Sequence, residues 1–200
     1  MGLAPHSKVA PRGGLVQQHA RGPLSHSKPP TKAVLVEVVD EKNKQILLIR
    51  NAEGTSKGLW NGFGGKIEEG ETPCEGAKRE LFEEAGLTMR SITYQGALTA
   101  FLSGAVFPSF MLYVFSSKEF TGRIKGDGKS ELRWFPLNAL PYITLWHDDA
   151  VWLPYLLAGR KWVNGHFEYA GDNLLRVAEI LPLEVGEDFG EKDKRSVGIL

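Results

Sequence analysis

The chain has 200 residues, of which 42% are hydrophobic, and this is enough for one ordinary domain with a sizeable core. Its 24 basic and 24 acidic residues balance, so the whole chain carries no electrostatic footprint for polymeric nucleic acid, and no run approaches the ~18 apolar residues of a membrane span. The single cysteine, Cys74, excludes an internal disulfide bond and fits a reducing compartment. We therefore expect a cytoplasmic protein without membrane or nucleic-acid partners. We also expect a monomer, although the sequence leaves the oligomeric state open.

The N-terminal segment, residues 1–32, differs in composition from the rest of the chain. It is rich in Gly, Pro, Ser, His and basic residues, and no acidic residue precedes Glu37. Because such a segment has too little apolar content to pack, we expect it to be disordered. An acid-free basic leader also resembles an organellar transit peptide, so a mitochondrial or nuclear location stays open beside the cytoplasm. Residues 186–200 are expected to form a flexible charged tail, which leaves 33–185 as the folded domain.

Strands outnumber helices among the predicted elements of that domain. Apolar and β-branched runs bounded by turn residues predict strands over 33–39, 45–50, 92–102, 106–116, 131–135, 161–169 and 174–184. The first two strands are joined by a turn over 40–44, and the next two by a turn around Ser103 and Gly104. Only two helices are expected, one after residue 72 and one after Asp148, and they are far apart in the chain. This pattern predicts an α+β fold with a mixed sheet held between helices.

The first helix has clear signals for its start and its end. Thr72 can cap it, Pro73 suits the first position, and Glu75 completes a capping box. Gly86 is a natural stop. Within the helix, one stripe is apolar and can pack on the domain: Ala77, Leu81 and Ala85.

The adjoining stripe of this helix is acidic and carries Glu80, Glu83 and Glu84. Three carboxylates on one face repel one another unless a cation lies among them. Such a cluster of oxygen ligands usually binds a hard divalent cation such as Mg²⁺. The alternative is that the helix simply shows a solvated acidic face. Before it, residues 60–66 form a glycine-dense loop whose backbone can approach a ligand closely, although it lacks the Walker arrangement. Loop and helix together suit a metal-bound polyphosphate.

The run from Gly65 to Leu87 follows the pattern G-x5-E-x7-R-E-U-x-E-E-x-G-U, where U is apolar. Seven specified positions would coincide by chance about once in 10^8 windows. The pattern resembles the box of the Nudix, or MutT-like, hydrolases. That resemblance implies an α/β/α sandwich built around a loop-helix-loop, and an enzyme that cleaves nucleoside diphosphates linked to another moiety with Mg²⁺ or Mn²⁺.

Roles in the metal site follow from the same resemblance. It implies that Glu80, Glu83 and Glu84 are metal ligands together with the Gly64 carbonyl, and that Arg79 orients a carboxylate. Arg79 also has a local i,i+4 partner in Glu83. In such enzymes an acid at the position of Glu131 often reaches the metal, and the alternative is an exposed glutamate at a strand end.

A second segment, Trp146-His147-Asp148-Asp149 with Trp152, offers flat aromatic surfaces and two carboxyls. Aromatic rings can stack on a base, and a neutral carboxyl can donate as well as accept a hydrogen bond to its edge. The alternative is that Asp148 caps the second helix and the tryptophans fill the core. Together with the loop around Asn61, this segment resembles the eukaryotic branch of the family that acts on oxidised purine nucleoside triphosphates. The resemblance implies that Asn61, Trp146, Asp148, Asp149, Trp152 and Lys66 contact the substrate.

The sequence thus predicts a Mg²⁺-dependent enzyme that hydrolyses 8-oxo-dGTP or 2-hydroxy-dATP to a monophosphate and pyrophosphate, so that the nucleotide pool is cleared of damaged bases. His147 and Thr55 depart from the family pattern in the base pocket, and the identity of the preferred base therefore stays open. Two alternatives stand beside this expectation. One is a hydrolase of another diphosphate, such as ADP-ribose, a dinucleotide or an RNA cap, and the other is a non-catalytic nucleotide-binding module.

Overall fold

A computed structural model describes residues 29–53, 56–102, 109–170, 175–184 and 187–200. Most of the N-terminal segment, the turn at Ser103 and Gly104, and Thr55 lie outside these ranges. Thr31 and Lys32 begin the first strand, so the domain starts two residues earlier than predicted.

The described elements follow the predicted order with small additions. The strands are β1 (Thr31–Asp40), β2 (Gln45–Arg50), β3 (Trp60–Asn61), β4 (Leu87–Met89), β5 (Thr93–Phe101), β6 (Phe110–Ser117), β7 (Phe120–Gly122), β8 (Glu131–Pro136), β9 (Trp162–Tyr169) and β10 (Leu175–Pro182). The helices are α1 (Pro73–Ala85), α2 (Asp149–Leu157) and α3 (Glu191–Ser196), with a 3-10 turn at Tyr142–Thr144. Among the residues that the structure describes, no helix is both long and apolar enough to span a membrane.

The main sheet is mixed, as predicted. Its strand order is β10-β9-β5-β6-β1-β2-β3, and β8 also pairs with β2. β1 runs parallel to β6, and β5 runs parallel to β9, whereas the other pairs in the sheet are antiparallel. The predicted β1–β2 hairpin is present, and its turn is held by the Asn43 backbone N–H, which donates to Asp40 Oδ1 at 2.9 Å.

Helices cover both faces of the sheet because β1 presents alternate side chains to each side. Val34, Val36 and Val38 pack in a core cluster with the apolar stripe of α1. Leu35 and Val39 pack in a second cluster with α2. The sandwich of helix, mixed sheet and helix is therefore confirmed.

The prediction of a flexible tail over 186–200 is wrong for its described part, residues 187–200. Val197 is 2% exposed and belongs to the α1-side core, and its carbonyl accepts a hydrogen bond from the Cys74 N–H at 2.9 Å. The Phe189 ring packs on Tyr94 with centroids 4.6 Å apart. Because charged residues surround these two apolar side chains in the sequence, composition gave no sign that they pack on the domain. The segment that contains α3 in fact supports the start of α1.

Candidate functional site

Helix α1 forms as its end signals predict. Thr72 Oγ1 accepts from the Glu75 N–H at 3.3 Å, and the Glu75 carboxylate accepts from the Thr72 N–H at 2.8 Å, which completes the capping box. Gly86 ends the helix at φ +67°, in the left-handed region that glycine favours. The apolar stripe is fully buried at Ala77, Leu81 and Ala85. Burial of that stripe fixes the rotation of the helix and turns the acidic stripe toward the glycine-rich loop.

Arg79 binds other carboxylates besides that of Glu83, its local partner. Its guanidinium donates to both oxygens of Glu71, at 2.7 and 3.1 Å, to Glu80 at 2.8 Å and to Glu83 at 3.1 Å. It also donates to the Lys66 carbonyl at 3.0 Å. The hydrogen bonds from Arg79 lower the pKa of Glu71. Arg79 thus ties the helix to the loop, and Glu71, to which the sequence reasoning gave no role, is its bidentate partner.

Glu84 lies against the loop and has no cationic partner among the described residues. Its Oε2 accepts from the Gly64 N–H at 2.9 Å. Burial raises the pKa of Glu84 to about 8, and repulsion from Glu80 and from Asp127 adds to this shift. Asp127 was not among the predicted site residues, because nothing in its local sequence places it near α1. Among the described residues, the Gly64 N–H thus stabilises the partly buried Glu84 carboxylate, but no cationic side chain does.

The loop reaches α1 and β1 only because glycine occupies two positions. A Cβ atom on Gly65 would lie 2.2 Å from Glu80 Oε1, and one on Gly64 would lie 2.1 Å from the Val34 carbonyl oxygen. The Gly65 carbonyl accepts from the Val34 N–H at 2.9 Å, which fixes the loop to the sheet. The Gly64 N–H serves Glu84, and the role of the Gly64 carbonyl as a metal ligand stays a prediction.

The predicted ligands are not assembled into a metal cluster. Within the described ranges, no group of three or more His, Cys, Asp or Glu side chains is arranged to hold a metal ion. Arg79 and the Gly64 N–H hold the carboxylates instead. Glu131 was expected to reach the metal site, but it faces Arg50 on the neighbouring strand and pairs with it at 3.7 Å, with both side chains about half exposed. The pairing of β8 with β2 thus favours the alternative of a strand-end glutamate.

A cavity of about 420 Å³ connects the loop to the second predicted segment. Asn61, Gly64, Gly65 and Lys66 line it from the loop side, and Trp146, Asp148 and Asp149 line it from the α2 side. The rest of the wall is largely apolar: Leu35, Leu98, Ala100, Leu112, Phe110 and Phe167. The Asn61 side chain is fixed because its Oδ1 accepts from the Gly62 N–H at 2.9 Å. An apolar pocket with a few convergent polar groups is the usual form of a small-molecule site.

The two aspartates at the start of α2 face the cavity and neither is simply a helix cap. Asp148 occupies the N-cap position, but its side chain makes no capping hydrogen bond. Its Oδ2 instead accepts from Trp152 Nε1 at 3.3 Å, and its carboxyl also bonds with the Tyr169 hydroxyl. Asp149 is buried, and its Oδ2 accepts from the Trp146 N–H at 3.2 Å. The capping alternative for Asp148 is therefore wrong.

The surroundings of both aspartates disfavour ionisation. Desolvation raises the pKa of Asp148, whereas the hydrogen bond from Tyr169 opposes that shift. Desolvation raises the pKa of Asp149 further, and the charges of Asp148 and Glu37 add to it. Glu37 and Tyr169 were not predicted as site residues, because their positions in β1 and β9 gave no local signal. At least one carboxyl at the cavity can therefore stay neutral and donate a hydrogen bond.

The two tryptophans have different environments. Trp146 is partly exposed at the cavity, its ring meets Tyr169 edge-on with centroids 5.6 Å apart, and its Nε1 donates to Ser56 Oγ at 3.2 Å. Trp152 is 1% exposed and packs near Trp162 in the α2-side core. Trp152 thus supports Asp148 and also lines the cavity, and its contact with the substrate stays a prediction.

Comparison with known proteins identifies relatives of this chain. A NUDIX domain family model matches residues 29–156, more than half of the chain. The oxidized purine nucleoside triphosphate hydrolase of Mus musculus is 38% identical over 127 residues, which are 63% of this chain and 80% of the mouse protein. The protein of the same name from Danio rerio is 29% identical over 145 residues, which are 72% of this chain and 92% of the fish protein. A crystal structure of a MutT protein from Bacillus halodurans matches with a TM-score of 0.64 at 25% identity, and the match covers 75% of this chain and 97% of that one.

Proposed function

The chain belongs to the Nudix family of hydrolases, and we propose that it hydrolyses oxidised purine nucleoside triphosphates to monophosphates and pyrophosphate with Mg²⁺ or Mn²⁺. In this role it would remove damaged precursors from the nucleotide pool. The observation that carries the proposal is the cavity that joins the loop before α1 to Trp146, Asp148 and Asp149. The mouse and zebrafish relatives, whose names state this activity, support it.

The cavity supports recognition of a purine by its edge. Asn61 offers a fixed amide, and Asp148 and Asp149 offer two carboxyls whose burial disfavours ionisation. A neutral carboxyl presents a donor and an acceptor together, and this pair of groups complements the altered edge of an oxidised purine. The partly exposed Trp146 ring supplies the flat surface on which a base would stack. Such a site discriminates between bases because its buried polar groups stay unpaired, which is unfavourable, when the wrong base enters.

The acidic stripe fits a hard divalent cation by its chemistry. Its donors are all oxygen atoms, and the partly buried Glu84 carboxyl has no cationic partner in the described residues, while Glu80 and Asp127 repel its charge. Glu80, Glu83 and Glu84, with the Gly64 carbonyl, would hold the ion. A bound cation neutralises phosphate charge and lowers the pKa of an attacking water. Arg79 keeps Glu80 and Glu83 aligned on the stripe, and Gly64 and Gly65 let the loop lie directly against Glu80 and β1.

The proposal is tested by a substrate panel with product identification. The purified protein is incubated with Mg²⁺ and equal concentrations of 8-oxo-dGTP, 2-hydroxy-dATP, dGTP and ADP-ribose, and a Glu84→Gln preparation controls for contaminating hydrolases. We expect the highest kcat/KM for an oxidised purine triphosphate, with monophosphate and pyrophosphate as products. A preference for ADP-ribose would refute the substrate assignment, and binding of nucleotides without any turnover would refute catalysis.

A further inference from the structure

Glu37 is a buried carboxyl that the proposed chemistry leaves unexplained. It is 2% exposed, and its Oε2 has no hydrogen-bond partner among the described residues. An unpaired polar atom in the interior is unfavourable, and an ionised one is more so. Such a group calls for an explanation in terms of what lies next to it.

The strand register places Glu37 on the cavity side of the sheet. Leu35 and Val39 belong to the α2-side core, and Leu35 also lines the cavity. Because side chains two residues apart share a face of a strand, Glu37 lies between these two on the same face. Glu37 itself is not among the residues that line the cavity.

Glu37 has neighbours in the loop next to Asn61 and at the start of α2. A Cβ atom on Gly62 would lie 2.4 Å from Glu37 Oε1, so the carboxyl packs against the backbone next to Asn61. On the α2 side, the charge of Glu37 acts on Asp149. The carboxyls of Glu37, Asp149 and Asp148 thus stand in one desolvated region.

The charges that act on Asp149 are negative, whereas His147 lowers the pKa of Asp148. The titratable groups that act on Asp149 are Asp148 and Glu37, and Asp149 in turn acts on Tyr142 and Tyr169. His147 acts on Asp148. Neighbouring carboxyls that share one low-dielectric site cannot all ionise. Asp148 is the best placed to carry a charge, because the Tyr169 hydroxyl and Trp152 Nε1 both bond with it.

We propose that Glu37 is a positioning residue for base recognition, which keeps Asp149 in the neutral form so that Asp149 donates a hydrogen bond to an oxidised purine. This inference rests on the proposed function of the cavity. Glu37 does so without touching the substrate, since it does not line the cavity. When Glu37 ionises, its negative charge makes the loss of the Asp149 proton still harder, so the donor persists to higher pH.

The test compares the wild type with Glu37→Gln, which keeps the shape of the side chain and removes its charge. The ratio of kcat/KM for 8-oxo-dGTP to that for dGTP is measured from pH 6 to pH 9.5. We expect equal ratios at pH 6, and in the variant a fall of the ratio at a pH about one unit lower than in the wild type, because coupled carboxyls displace each other's titration by that order. Ionisation of the bases themselves affects both proteins alike. Superimposable profiles would overturn the proposal.

A readout without substrate separates this inference from the proposed function. The infrared C=O band of protonated carboxyls is followed against pH in the unliganded proteins, and Asp149→Asn assigns the Asp149 component. In Glu37→Gln this component should disappear at a lower pH than in the wild type. If it does so but no oxidised purine is hydrolysed, the proton coupling stands and the proposed function fails. If it is unchanged, the role of Glu37 is refuted whatever the substrate.

Two further variants guard against a purely structural explanation. Glu37→Met also removes the charge and should displace the pH profile in the same direction, which keeps the test valid if the glutamine variant folds poorly. Gln95→Leu is the control variant. Gln95 is also buried, its Oε1 has no hydrogen-bond partner among the described residues, and it does not line the cavity. This variant should change the melting temperature without displacing the profile. A displacement by Gln95→Leu equal to that of the Glu37 variants would overturn the proposal.

Discussion

The buried carboxyl of Glu37 should make the protein less stable as pH rises, and Glu37→Gln should remove that dependence. Burial raises the pKa of Glu37 from an ordinary value of 4.5 to about 8. The folded state therefore holds this proton more tightly than the unfolded state does. The contribution of this proton to the free energy of unfolding is fully present below about pH 4.5, declines as pH rises, and is lost completely above about pH 8.

The size of the effect follows from the same pKa. Each pKa unit is worth about 1.4 kcal/mol, so the ionisable side chain disfavours folding by roughly 3 kcal/mol at pH 7 and by on the order of 5 kcal/mol above pH 8. Glutamine resembles the protonated carboxyl in shape and polarity. The two proteins should thus be almost equally stable at pH 5, whereas the variant should be more stable by a few kcal/mol at pH 9.

Urea unfolding followed by circular dichroism at pH 5, 7 and 9 measures this difference. Glu69→Gln, a change at an exposed glutamate, serves as the control and should give no gain at any pH. An equal stability difference between wild type and Glu37→Gln at all three pH values would refute the reasoning, since it would mean that Glu37 is not protonated on folding. A loss of stability at pH 9 would refute it more directly.

The remaining predictions concern the acidic stripe, the base pocket and the two ends of the chain. Glu84→Gln should lower kcat on the order of 10^3-fold with little change in melting temperature, and near-normal turnover with Mg²⁺ would contradict its role as a ligand. Asp148→Asn should reduce the preference for 8-oxo-dGTP over dGTP by roughly 5- to 150-fold, corresponding to about 1–3 kcal/mol, and kinetics that keep the full preference would contradict base reading. Deletion of residues 1–28 should leave activity and melting temperature unaltered, and a marked loss of either would show that this segment contributes to the domain. Val197→Asp should lower the melting temperature strongly, because it places a charge in the α1-side core, and an unchanged melting curve would contradict the packing of the C-terminal segment.

Several parts of the structure were predictable because their signals are local. Thr72, Glu75 and Gly86 set the ends of α1 through hydrogen bonds and backbone conformations within a few residues. The spacing of Ala77 and Leu81 set its buried face, and the alternation of residues in β1 set the two sides of the sheet. Such features depend on the helical and strand periods, which the sequence carries directly.

Other parts followed only from the assembled fold, because burial and electrostatic neighbourhood depend on residues far apart in the chain. Glu131 was expected at the metal site, yet the pairing of β8 with β2 places it opposite Arg50. Val197 lies in a charged segment, yet it is buried against α1 because α3 folds back onto the domain. Glu37 looks like an ordinary strand residue, and only the packing of α2 and the loop over its carboxyl makes it a titrating group near Asp149. The sequence by itself determined the elements and the acidic stripe, whereas the tertiary structure decided which carboxyls lose their water, because desolvation comes from all the neighbours that the fold brings together.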